Sequence, residues 1–365
     1  MAAQRDDQHE LLVIGGGQAG LAMGYHLQRR GVSFTIVDAG AEIGHVWRSR
    51  WDSLRLFTPA QYANLPGMQF PARRDTYPTH GQVADYLAEY ASHFALPVQL
   101  QTQITQLTKT STGFEAVSAD GQTLTARSVV VATGPFSQPY TPPIADELSA
   151  AVVQLHTSQY RNPDQVPPGR VLVVGGGNSG FQIAGELADA GRQVELSEGR
   201  RNACIPQRPA GKDIFWWQER LGLLRVTADS RLGRVMSANN GTVIGSSRRN
   251  VCRRGVTLRP RTTAANRTEI RYADGSSSIV DTVIWATGFR VDDAWIRIPG
   301  ALDIHGQLCQ RRGIVDGIDG LYSLGRAWQH ATGSALLGFV QHDSAWLAEQ
   351  IATRRTHQNT RPPAG

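Results

Sequence analysis

The sequence predicts an α/β fold in which one strand–turn–helix–strand unit occurs twice, with the second unit inserted into the domain that the first begins. Two glycine-rich turns follow buried-strand patterns, in LLVIGGGQAG and VLVVGGGNSG. Two further apolar strands, in VVVATGPF and TVIWATGF, follow the turns in matching order, and both end in Ala-Thr-Gly. The predicted architecture is therefore a pair of Rossmann-like domains, each built around one glycine turn.

Three glycines spaced G-x-G-x-x-G interrupt each apolar pattern. They are Gly15, Gly17 and Gly20 in the first unit, and Gly175, Gly177 and Gly180 in the second. The first glycine permits the tight turn, the second lets backbone approach a pyrophosphate, and the third lets the helix pack on the strand. One match is weak evidence, because glycine-rich turns are common, but two in the same context are hard to ascribe to chance. We therefore expect two dinucleotide sites, each with a pyrophosphate at a helix N-terminus.

The residues that follow each glycine turn extend the repeat. Gly31 ends a predicted helix over residues 21–30, and the next strand ends on Asp38, which is placed to accept hydrogen bonds from ribose hydroxyls. In the second unit, Gly191 and Glu198 align with these two residues without a gap. Both units therefore carry an acidic residue at the ribose position.

Three elements are expected between the first turn and its Ala-Thr-Gly strand. The stretch after Asp38 is rich in Gly, Trp and Pro, which indicates a long loop that covers the cofactor. Apolar residues at helical spacing predict an amphipathic helix over residues 79–94. Alternating patterns over residues 98–126, with Asp120-Gly121 as a hairpin turn, predict an antiparallel flap.

Two proline-rich segments, 138–143 and 162–169, predict crossings between the domains. We assign residues 1–165 and 289–365 to the first domain and residues 166–288 to the second. Residues 212–224, KDIFWWQERLGLL, predict an apolar helix, and residues 321–351 predict a strand, a turn and a helix that return the chain to the first domain.

Composition indicates a globular protein without a nucleic-acid or membrane partner. The chain has 365 residues, of which 41% are hydrophobic and 19% charged, enough for two packed domains. No apolar run approaches the ~18 residues of a membrane span, and the polar N-terminus does not resemble a secretory signal, so we expect a cytoplasmic protein. The net charge of +6 comes from scattered arginines rather than a basic stripe. The three widely spaced cysteines predict neither a disulfide framework nor a metal site.

The order of these motifs resembles that of the class B flavin-dependent monooxygenases, which include flavin-containing monooxygenases and plant YUCCA-type enzymes. The resemblance also includes Trp47-Arg48, YPTHGQVADYL, LHTSQYR with His156 and Tyr160, and the terminal TGSALLGF, so it covers nearly the whole chain. It departs from the family in the first half of the motif F-x-G-x-x-x-H-x-x-x-Y or F, where Ala and Val stand in place of Phe and Gly.

The resemblance implies two cofactors and a set of residues for each. The residues expected to hold FAD are Gly15, Gly17, Gly20, Asp38, Trp47, Arg48, Thr133, Gly134, Thr332 and Leu336, the last two at a helix N-terminus that faces the flavin ring. The residues expected to hold NADPH are Gly175, Gly177, Ser179, Gly180, Arg200, Arg201, Thr287 and Gly288.

The expected catalytic residues are Trp47, Arg48, Asn64, His156 and Tyr160. The catalytic Asn of flavin-containing monooxygenases would fall at Pro59 here, so Gln61 or Asn64 is the nearest amide, with a structural turn as the alternative role of Asn64. In this family His156 resembles a residue of the domain linker, and we expect His156 and Tyr160 to affect coupling rather than bond-making.

The preference for the pyridine nucleotide depends on opposing charges. Glu198 stands where an acid favours NADH, while Arg200 and Arg201 stand where arginines bind the 2′-phosphate of NADPH. We expect the arginines to dominate, because charge-assisted hydrogen bonds from arginine are strong.

The resemblance implies a monooxygenase in which NADPH reduces the flavin, O₂ gives a C4a-hydroperoxyflavin, and one oxygen passes to a small organic substrate. Oxidation at nitrogen or sulfur and oxidative decarboxylation of a 2-oxo acid are both compatible. The alternatives are an NAD(P)H-dependent flavoprotein reductase of the ferredoxin- or thioredoxin-reductase type and a non-enzymatic dinucleotide-binding redox sensor. The expected partners are the substrate and O₂, and a homodimer remains open.

Overall fold

The computed structural model describes residues 8–238 and 241–359. Eight α-helices occur in these ranges. They are α1 Gln18–Gln28, α2 His45–Arg48, α3 His80–His93, α4 Asn178–Asp189, α5 Ile214–Arg220, α6 Arg231–Ala238, α7 Arg248–Arg253 and α8 Val340–Asn359. In the described chain no helix is both long and apolar enough to cross a membrane.

Nine strands form the first sheet of the described chain. They are β1 His9–Ile14, β2 Thr35–Val37, β3 Val98–Gln99, β4 Ile104–Lys109, β5 Phe114–Ser118, β6 Thr123–Val131, β19 Gln310–Arg311, β20 Ile314–Val315 and β21 Leu321–Ser323. The order is β19-β20-β21-β6-β1-β2-β3, with β5 joined to β6 and β4 to β5. The strands from β21 to β3 are parallel, and β4, β5 and β6 form the predicted antiparallel flap.

Five parallel strands form the second sheet, in the order β13-β10-β9-β17-β8. They are β8 Val153–His156, β9 Arg170–Val174, β10 Gln193–Ser197, β13 Thr257–Arg259 and β17 Thr282–Trp285. As in the first sheet, the glycine-turn strand is central, between the acid-bearing strand and the Ala-Thr-Gly strand. The predicted α/β class with two Rossmann-like parallel sheets is therefore confirmed.

Seven further short strands of the described chain form three small sheets. They are β7 Gln138–Pro139 paired with β18 Phe289–Arg290, β11 Cys204–Ile205 paired with β12 Val243–Ile244, and the antiparallel set β14 Thr262–Asn266, β15 Glu269–Tyr272 and β16 Ser277–Ile279. The last set occupies the same place after the second glycine turn as the antiparallel flap does after the first. Of the two predicted crossings, 138–143 contains β7, which pairs with β18 as one antiparallel ribbon. The other, 162–169, connects β8 to β9 of the same sheet, so it is not a crossing.

The domain boundary predicted at residue 166 needs correction. Strand β8 lies before that boundary, yet it hydrogen-bonds to β17 in the second sheet. The apolar side chains of Ala145, Leu148 and Val152 also belong to the core of that sheet, together with Val283. We therefore place the first crossing near β7. Sequence patterns missed this because a four-residue strand beside prolines has the composition of a linker.

The alternating sides of β1 explain how the first sheet is buried. Leu11 and Val13 belong to the core formed with helices α1, α3 and α8, while Leu12 and Ile14 face the core under the flap. All four side chains are at least 96% buried. A strand that is covered on both faces reads as a continuous apolar run, which is the pattern of the sequence here.

Two predicted helices differ from the structure. Thr79 caps α3 through a capping box with Gln82, so the helix predicted over 79–94 is confirmed. The helix predicted over 212–224 is shorter, because α5 ends at Arg220 and a left-handed Gly222 follows. The helix N-terminus predicted at 332–336 is wrong: those residues form turns, and α8 begins only at Val340.

His26 of α1 should make the fold sensitive to acid. Burial lowers the pKa of its imidazole from 6.5 to about 4, and the charge of Arg30 acts in the same direction. Between these values the unfolded chain binds a proton that the folded chain does not, so stability falls as the pH falls through this window. We expect the free energy of unfolding to drop by up to about 1.4 kcal/mol per pH unit from this group.

Urea unfolding at about pH 7 and about pH 5 measures this loss. A His26→Gln variant should lose less stability over the same interval. If the variant and the native chain lost the same free energy, another group would be responsible for the acid sensitivity.

Candidate functional site

The first glycine of each turn packs against an Ala-Thr-Gly strand. An ideal Cβ on Gly15 would lie 2.5 Å from the carbonyl oxygen of Ala132, and one on Gly175 would lie 2.2 Å from that of Ala286. Both glycines also have positive φ, 113° and 129° respectively. The Ala-Thr-Gly segments are therefore the partners that make glycine necessary at these two positions.

The second glycine of each turn faces open space. No described atom lies within 4 Å of an ideal Cβ on Gly17 or on Gly177, although the third glycines, Gly20 and Gly180, would place a Cβ 1.9 Å from a backbone oxygen. Each open space adjoins a helix N-terminus, at α1 and α4, that no described side chain caps. Backbone N–H groups at an uncapped helix start bind phosphate well, so both spaces fit a pyrophosphate.

Asp38 is held at the first site by backbone. Its Oδ2 accepts a hydrogen bond from the Gly16 N–H at 2.6 Å, and its Oδ1 accepts one from the Gly40 N–H at 2.8 Å. The imidazole Nδ1 of His45 lies 3.5 Å from Oδ1. These contacts orient the carboxylate beside the turn at Gly17, as a ribose-binding acid requires.

A buried ion pair holds the Ala-Thr-Gly segment of the first domain. Arg326 donates to the Gly134 carbonyl at 3.2 Å and to the Thr133 hydroxyl at 3.4 Å. Its Nη2 also donates to Asp293 at 2.6 Å, and the side chains are 12% and 2% exposed. The Leu308 N–H donates to the other oxygen of Asp293 at 3.2 Å. Arg326 thereby joins the end of the predicted FAD segment to a returning loop.

The turn of the second site is braced by two asparagines. The Asn202 amide donates to the Gly176 carbonyl at 2.9 Å. Asn178, the first residue of α4, accepts from the Ile244 N–H at 2.9 Å and donates to the Thr242 carbonyl at 3.2 Å. Ser179 is half-buried in the first turn of the same helix. These contacts fix the backbone around the open space at Gly177.

Glu198 does not stand as a lone acid. Arg248 donates from Nε and Nη2 to its two carboxylate oxygens at 2.9 and 2.6 Å. Arg200 and Arg201 follow in the loop after β10, where Arg200 donates to the Ala238 carbonyl at 3.0 Å and Arg201 is exposed. The three arginines and one acid give this end of the second sheet a net positive charge, which suits a phosphate.

Trp47 and Arg48 lie in the short helix α2. Arg48 pairs with Glu42 at 3.1 Å and with Asp85 of α3 at 2.8 Å, and it is 38% exposed. Trp47 packs on the core of the first domain, and its carbonyl contacts His80 at 3.2 Å. These contacts dock α2 on α3. A direct role of either side chain at the flavin remains a prediction.

The candidate amides are engaged in structural contacts. Asn64 donates to the Gln61 carbonyl at 3.1 Å and accepts from the Phe70 N–H at 2.7 Å, which is the behaviour of a turn residue. Gln61 donates to Asp75 at 2.8 Å and accepts from the Asp75 N–H at 2.7 Å. The structure therefore favours the turn role of Asn64 over the catalytic one.

His156, the last residue of β8, lies where the second sheet meets the ribbon of β7 and β18. Its Nδ1 accepts from the Ser158 N–H at 3.1 Å, so Nε2 carries the proton and donates to the Gly288 carbonyl at 2.9 Å. Burial lowers the pKa of this imidazole. The ring also meets Phe289 of β18 edge-on, with centroids 4.9 Å apart. His156 is therefore a neutral structural contact at the junction.

Tyr160 has a different environment from His156. It is fully buried in the core of the second domain, and its hydroxyl donates to Glu186 of α4 at 3.0 Å. Burial raises the pKa of both groups. Although one sequence motif contains both residues, His156 makes a contact at the domain junction and Tyr160 packs in the core of the second domain.

Hydrogen bonds also hold the segments that contain the remaining predicted residues, Thr287, Thr332 and Leu336. The Thr287 hydroxyl donates to the carbonyl of Tyr140, the residue that follows β7, which ties the second Ala-Thr-Gly segment to the end of that strand. The Thr332 N–H donates to the Val226 carbonyl at 3.1 Å. Gln18, at the start of α1, donates to the Ala335 carbonyl at 3.1 Å, which brings the segment that contains Leu336 beside the first glycine turn.

Sequence patterns missed Arg248, Arg326 and Asp293. In the sequence Arg248 stands beside Arg249 with no acidic neighbour, and its partner Glu198 lies 50 positions away in the chain. Arg326 and Asp293 are likewise separated by 33 positions. Such contacts have no local signature. Among the described residues no group of His, Cys, Asp and Glu side chains could hold a metal ion, and the three cysteines are free.

The comparisons with known proteins agree with this geometry. The model of the pyridine nucleotide-disulphide oxidoreductase family matches residues 12–210. A CzcO-like oxidoreductase of Geobacillus kaustophilus is 45% identical over 94% of this chain and 98% of its own length. The chain belongs to the pyridine nucleotide-disulphide oxidoreductase family.

The predicted membership of the flavin-dependent monooxygenases is also confirmed. A flavin-containing monooxygenase from Stenotrophomonas maltophilia superposes with a TM-score of 0.80 and 29% identity, over 96% of this chain and 99% of its own. The indole-3-pyruvate monooxygenase YUCCA1 of Oryza sativa subsp. japonica is 27% identical over 90% of this chain and 86% of its own length.

Proposed function

We propose that this chain is an FAD-dependent monooxygenase that uses NADPH and O₂ to oxygenate a small organic substrate. The observation that carries the proposal is the pair of open spaces at Gly17 and Gly177, each beside an uncapped helix N-terminus. Two such spaces in one chain fit two dinucleotides, one in each sheet. The Stenotrophomonas enzyme and the YUCCA1 protein are monooxygenases by name, which supports the reaction class.

Bound FAD would accept a hydride from the nicotinamide and activate O₂, and the protein would supply binding, orientation and exclusion of water. Gly15, Gly17 and Gly20 would shape the FAD site, and Asp38 would hold the ribose. Arg326 would keep the Thr133-Gly134 backbone in place through its contacts with that segment. Because the cofactor would supply the chemistry, the protein needs no acid–base cluster, which agrees with the structural contacts of Asn64 and His156.

The nucleotide would bind at the second site through Gly175, Gly177 and Gly180. Arg200 and Arg201 would contact the 2′-phosphate of NADPH, because guanidinium groups bind phosphate with two parallel hydrogen bonds. The compensation of Glu198 by Arg248 removes the repulsion that an isolated carboxylate would add.

Arg200→Ala and Arg201→Ala variants should each raise the KM for NADPH by about tenfold, as loss of a contact worth ~1.4 kcal/mol would, and should spare NADH. Initial rates of flavin reduction with both nucleotides measure this. Equal use of NADH and NADPH by the native chain would contradict the preference.

The oxygen acceptor is proposed by class only. A nitrogen or sulfur nucleophile and a 2-oxo acid are both compatible with the site. The decisive experiment measures NADPH consumption and O₂ uptake by the purified yellow protein with amines, sulfides and arylpyruvates. Acceptor-dependent stoichiometric uptake supports the proposal. Nucleotide oxidation that passes electrons to a protein or dye, without oxygenated product, would instead identify a flavoprotein reductase.

The reductase and redox-sensor alternatives receive less support. A thioredoxin-reductase type needs two adjacent thiols, while Cys204, Cys252 and Cys309 are free in the described chain and far apart in sequence. A sensor would bind the nucleotides without turnover. The same oxygen-uptake experiment distinguishes it from the enzyme.

His156→Ala should uncouple the enzyme. The variant removes the contact with the Gly288 carbonyl and the ring contact with Phe289, so the junction beside the nucleotide segment loosens. We expect flavin reduction to persist and hydrogen peroxide release to rise. The sequence also predicts an effect of Tyr160 on coupling, but its hydroxyl bonds within the second domain, so Tyr160→Phe should leave coupling unchanged and is the matched control. Equal peroxide release by the native chain and His156→Ala would show that His156 does not affect coupling.

A further inference from the structure

The contact between Glu198 and Arg248 joins two elements that the glycine pattern does not connect. Glu198 follows β10 at the position that Asp38 occupies after β2. Arg248, the first residue of α7, donates hydrogen bonds to both carboxylate oxygens of Glu198, at 2.9 and 2.6 Å. The two side chains are 10% and 19% exposed, so water screens the pair only weakly.

Arg248 is itself held in place. Its Nη2 donates to the Asn202 carbonyl at 2.9 Å, and Asn202 in turn braces Gly176 of the nucleotide turn. The guanidinium also lies over the ring of Phe181, 6.0 Å from its centroid. The hydrogen bonds with Glu198 raise the pKa of Arg248, which therefore stays charged. The pair is a fixed part of the site rather than a transient surface contact.

The two acids of the repeat have different partners. Asp38 accepts from two backbone N–H groups and lies 3.5 Å from the imidazole Nδ1 of His45, but in the described chain it makes no arginine pair like that of Glu198. Glu198 faces a full positive charge. A carboxylate at this position normally binds the ribose 2′-hydroxyl and repels a 2′-phosphate, so cancelling its charge changes which nucleotide the site accepts.

We propose that Arg248 is a positioning residue that makes the second site select a 2′-phosphorylated nucleotide, by occupying and neutralising Glu198. The inference rests on the proposed nucleotide site and adds the residue that sets its selectivity. Arg248 acts through Glu198. Direct contact with the phosphate is left to other arginines, such as Arg200 and Arg201.

The experiment is calorimetric titration of the purified, flavin-loaded chain with adenosine 2′,5′-bisphosphate and with 5′-AMP. The two probes differ only in the 2′-phosphate, and neither can be reduced or oxidised. Arg248→Met should lower the affinity for the bisphosphate by about tenfold or more, because the unpaired Glu198 carboxylate would repel the 2′-phosphate by ~1.4 kcal/mol. The affinity for 5′-AMP should change by less than about twofold.

A double mutant tests whether Arg248 acts through Glu198. In Glu198→Gln/Arg248→Met neither charge remains, so affinity for the bisphosphate should return to within about threefold of the native value. If the double variant is as weak as Arg248→Met, then Arg248 contacts the phosphate directly and the inference is overturned. Should Arg248→Met fail to fold, Arg248→Gln carries the same expectations, because it can bond Glu198 without neutralising it.

Arg259→Met is the matched control. Arg259 pairs with Glu195 at 2.6 Å in the same sheet and with similar burial, but Glu195 lies inside β10 rather than after it. Its loss should lower stability without changing the ratio of the two affinities. The same change of ratio in Arg259→Met would show a general effect of destabilisation and overturn the inference. A native chain that binds neither probe would instead refute the nucleotide site itself.

Discussion

The Gly17→Val variant should purify as a folded, colourless protein. Gly17 has φ −76° and ψ −173°, which valine adopts without strain. No described atom lies within 4 Å of the added Cβ, so the fold should tolerate the change. The isopropyl group would instead fill the space proposed for the FAD pyrophosphate. We expect flavin affinity to fall by more than about 100-fold, or ~2.7 kcal/mol.

The repeat supplies the control for this prediction. Gly177→Val places the same group in the second space, where φ is −94° and ψ −177°. That variant should stay yellow and lose binding of adenosine 2′,5′-bisphosphate, whereas Gly17→Val should keep that binding. Visible absorbance per folded chain and calorimetry measure the two losses. A yellow Gly17→Val protein would mean that flavin binds elsewhere.

Replacing Arg326 by Met should be the most destabilising of the charge substitutions proposed here. The change leaves Asp293, only 2% exposed, as an unpaired charge, and it frees the Thr133-Gly134 backbone. Breaking one partner of a buried ion pair costs about 3–5 kcal/mol. Urea unfolding should show a loss of this size, together with weaker retention of flavin.

An exposed pair gives the comparison for Arg326. Arg311 and Asp316 are 3.6 Å apart and 85% and 59% exposed, so Arg311→Met should change stability by less than about 0.5 kcal/mol. The double variant Asp293→Asn/Arg326→Met should recover part of the loss, because the unpaired charge is gone. Equal stability losses in Arg326→Met and Arg311→Met would show that burial does not strengthen the Asp293 pair.

The parts of the fold that local chemistry determines could be predicted from sequence. Glycine at positions 15 and 175 is required by backbone approach, and Thr79 with Gln82 forms a capping box, so both features leave a short sequence signature. Strand β8 escaped prediction because only its pairing with β17 makes it a strand. The helix N-terminus expected at 332–336 followed from the family resemblance, whereas in this chain those residues form turns and α8 begins at Val340.

In the candidate site, too, local features could be predicted from the sequence and long-range contacts could not. The two pyrophosphate spaces follow from glycine spacing. The state of Glu198 does not, because it depends on Arg248, which the chain brings in from a distant helix. From the sequence alone, the nucleotide preference depends on the opposing charges of Glu198 and of Arg200 and Arg201. In the folded chain a third arginine has already bound the acid.

The pairing of β7 with β18 has a mechanical consequence. Two independent tethers would let one sheet swing and shift freely against the other, whereas an antiparallel ribbon stretches little and bends poorly in its own plane. Its soft deformation is torsion about the long axis, since paired strands already carry a twist that can be wound or unwound. Gly134 and Gly288, both at positive φ, precede the ribbon strands, and their carbonyls are held by Arg326 and His156, so these two contacts limit the torsion. Rotation of one sheet against the other is therefore the motion that the ribbon resists least, and contacts elsewhere between the domains, such as that of Tyr77 with Asp213, would have to rearrange with it.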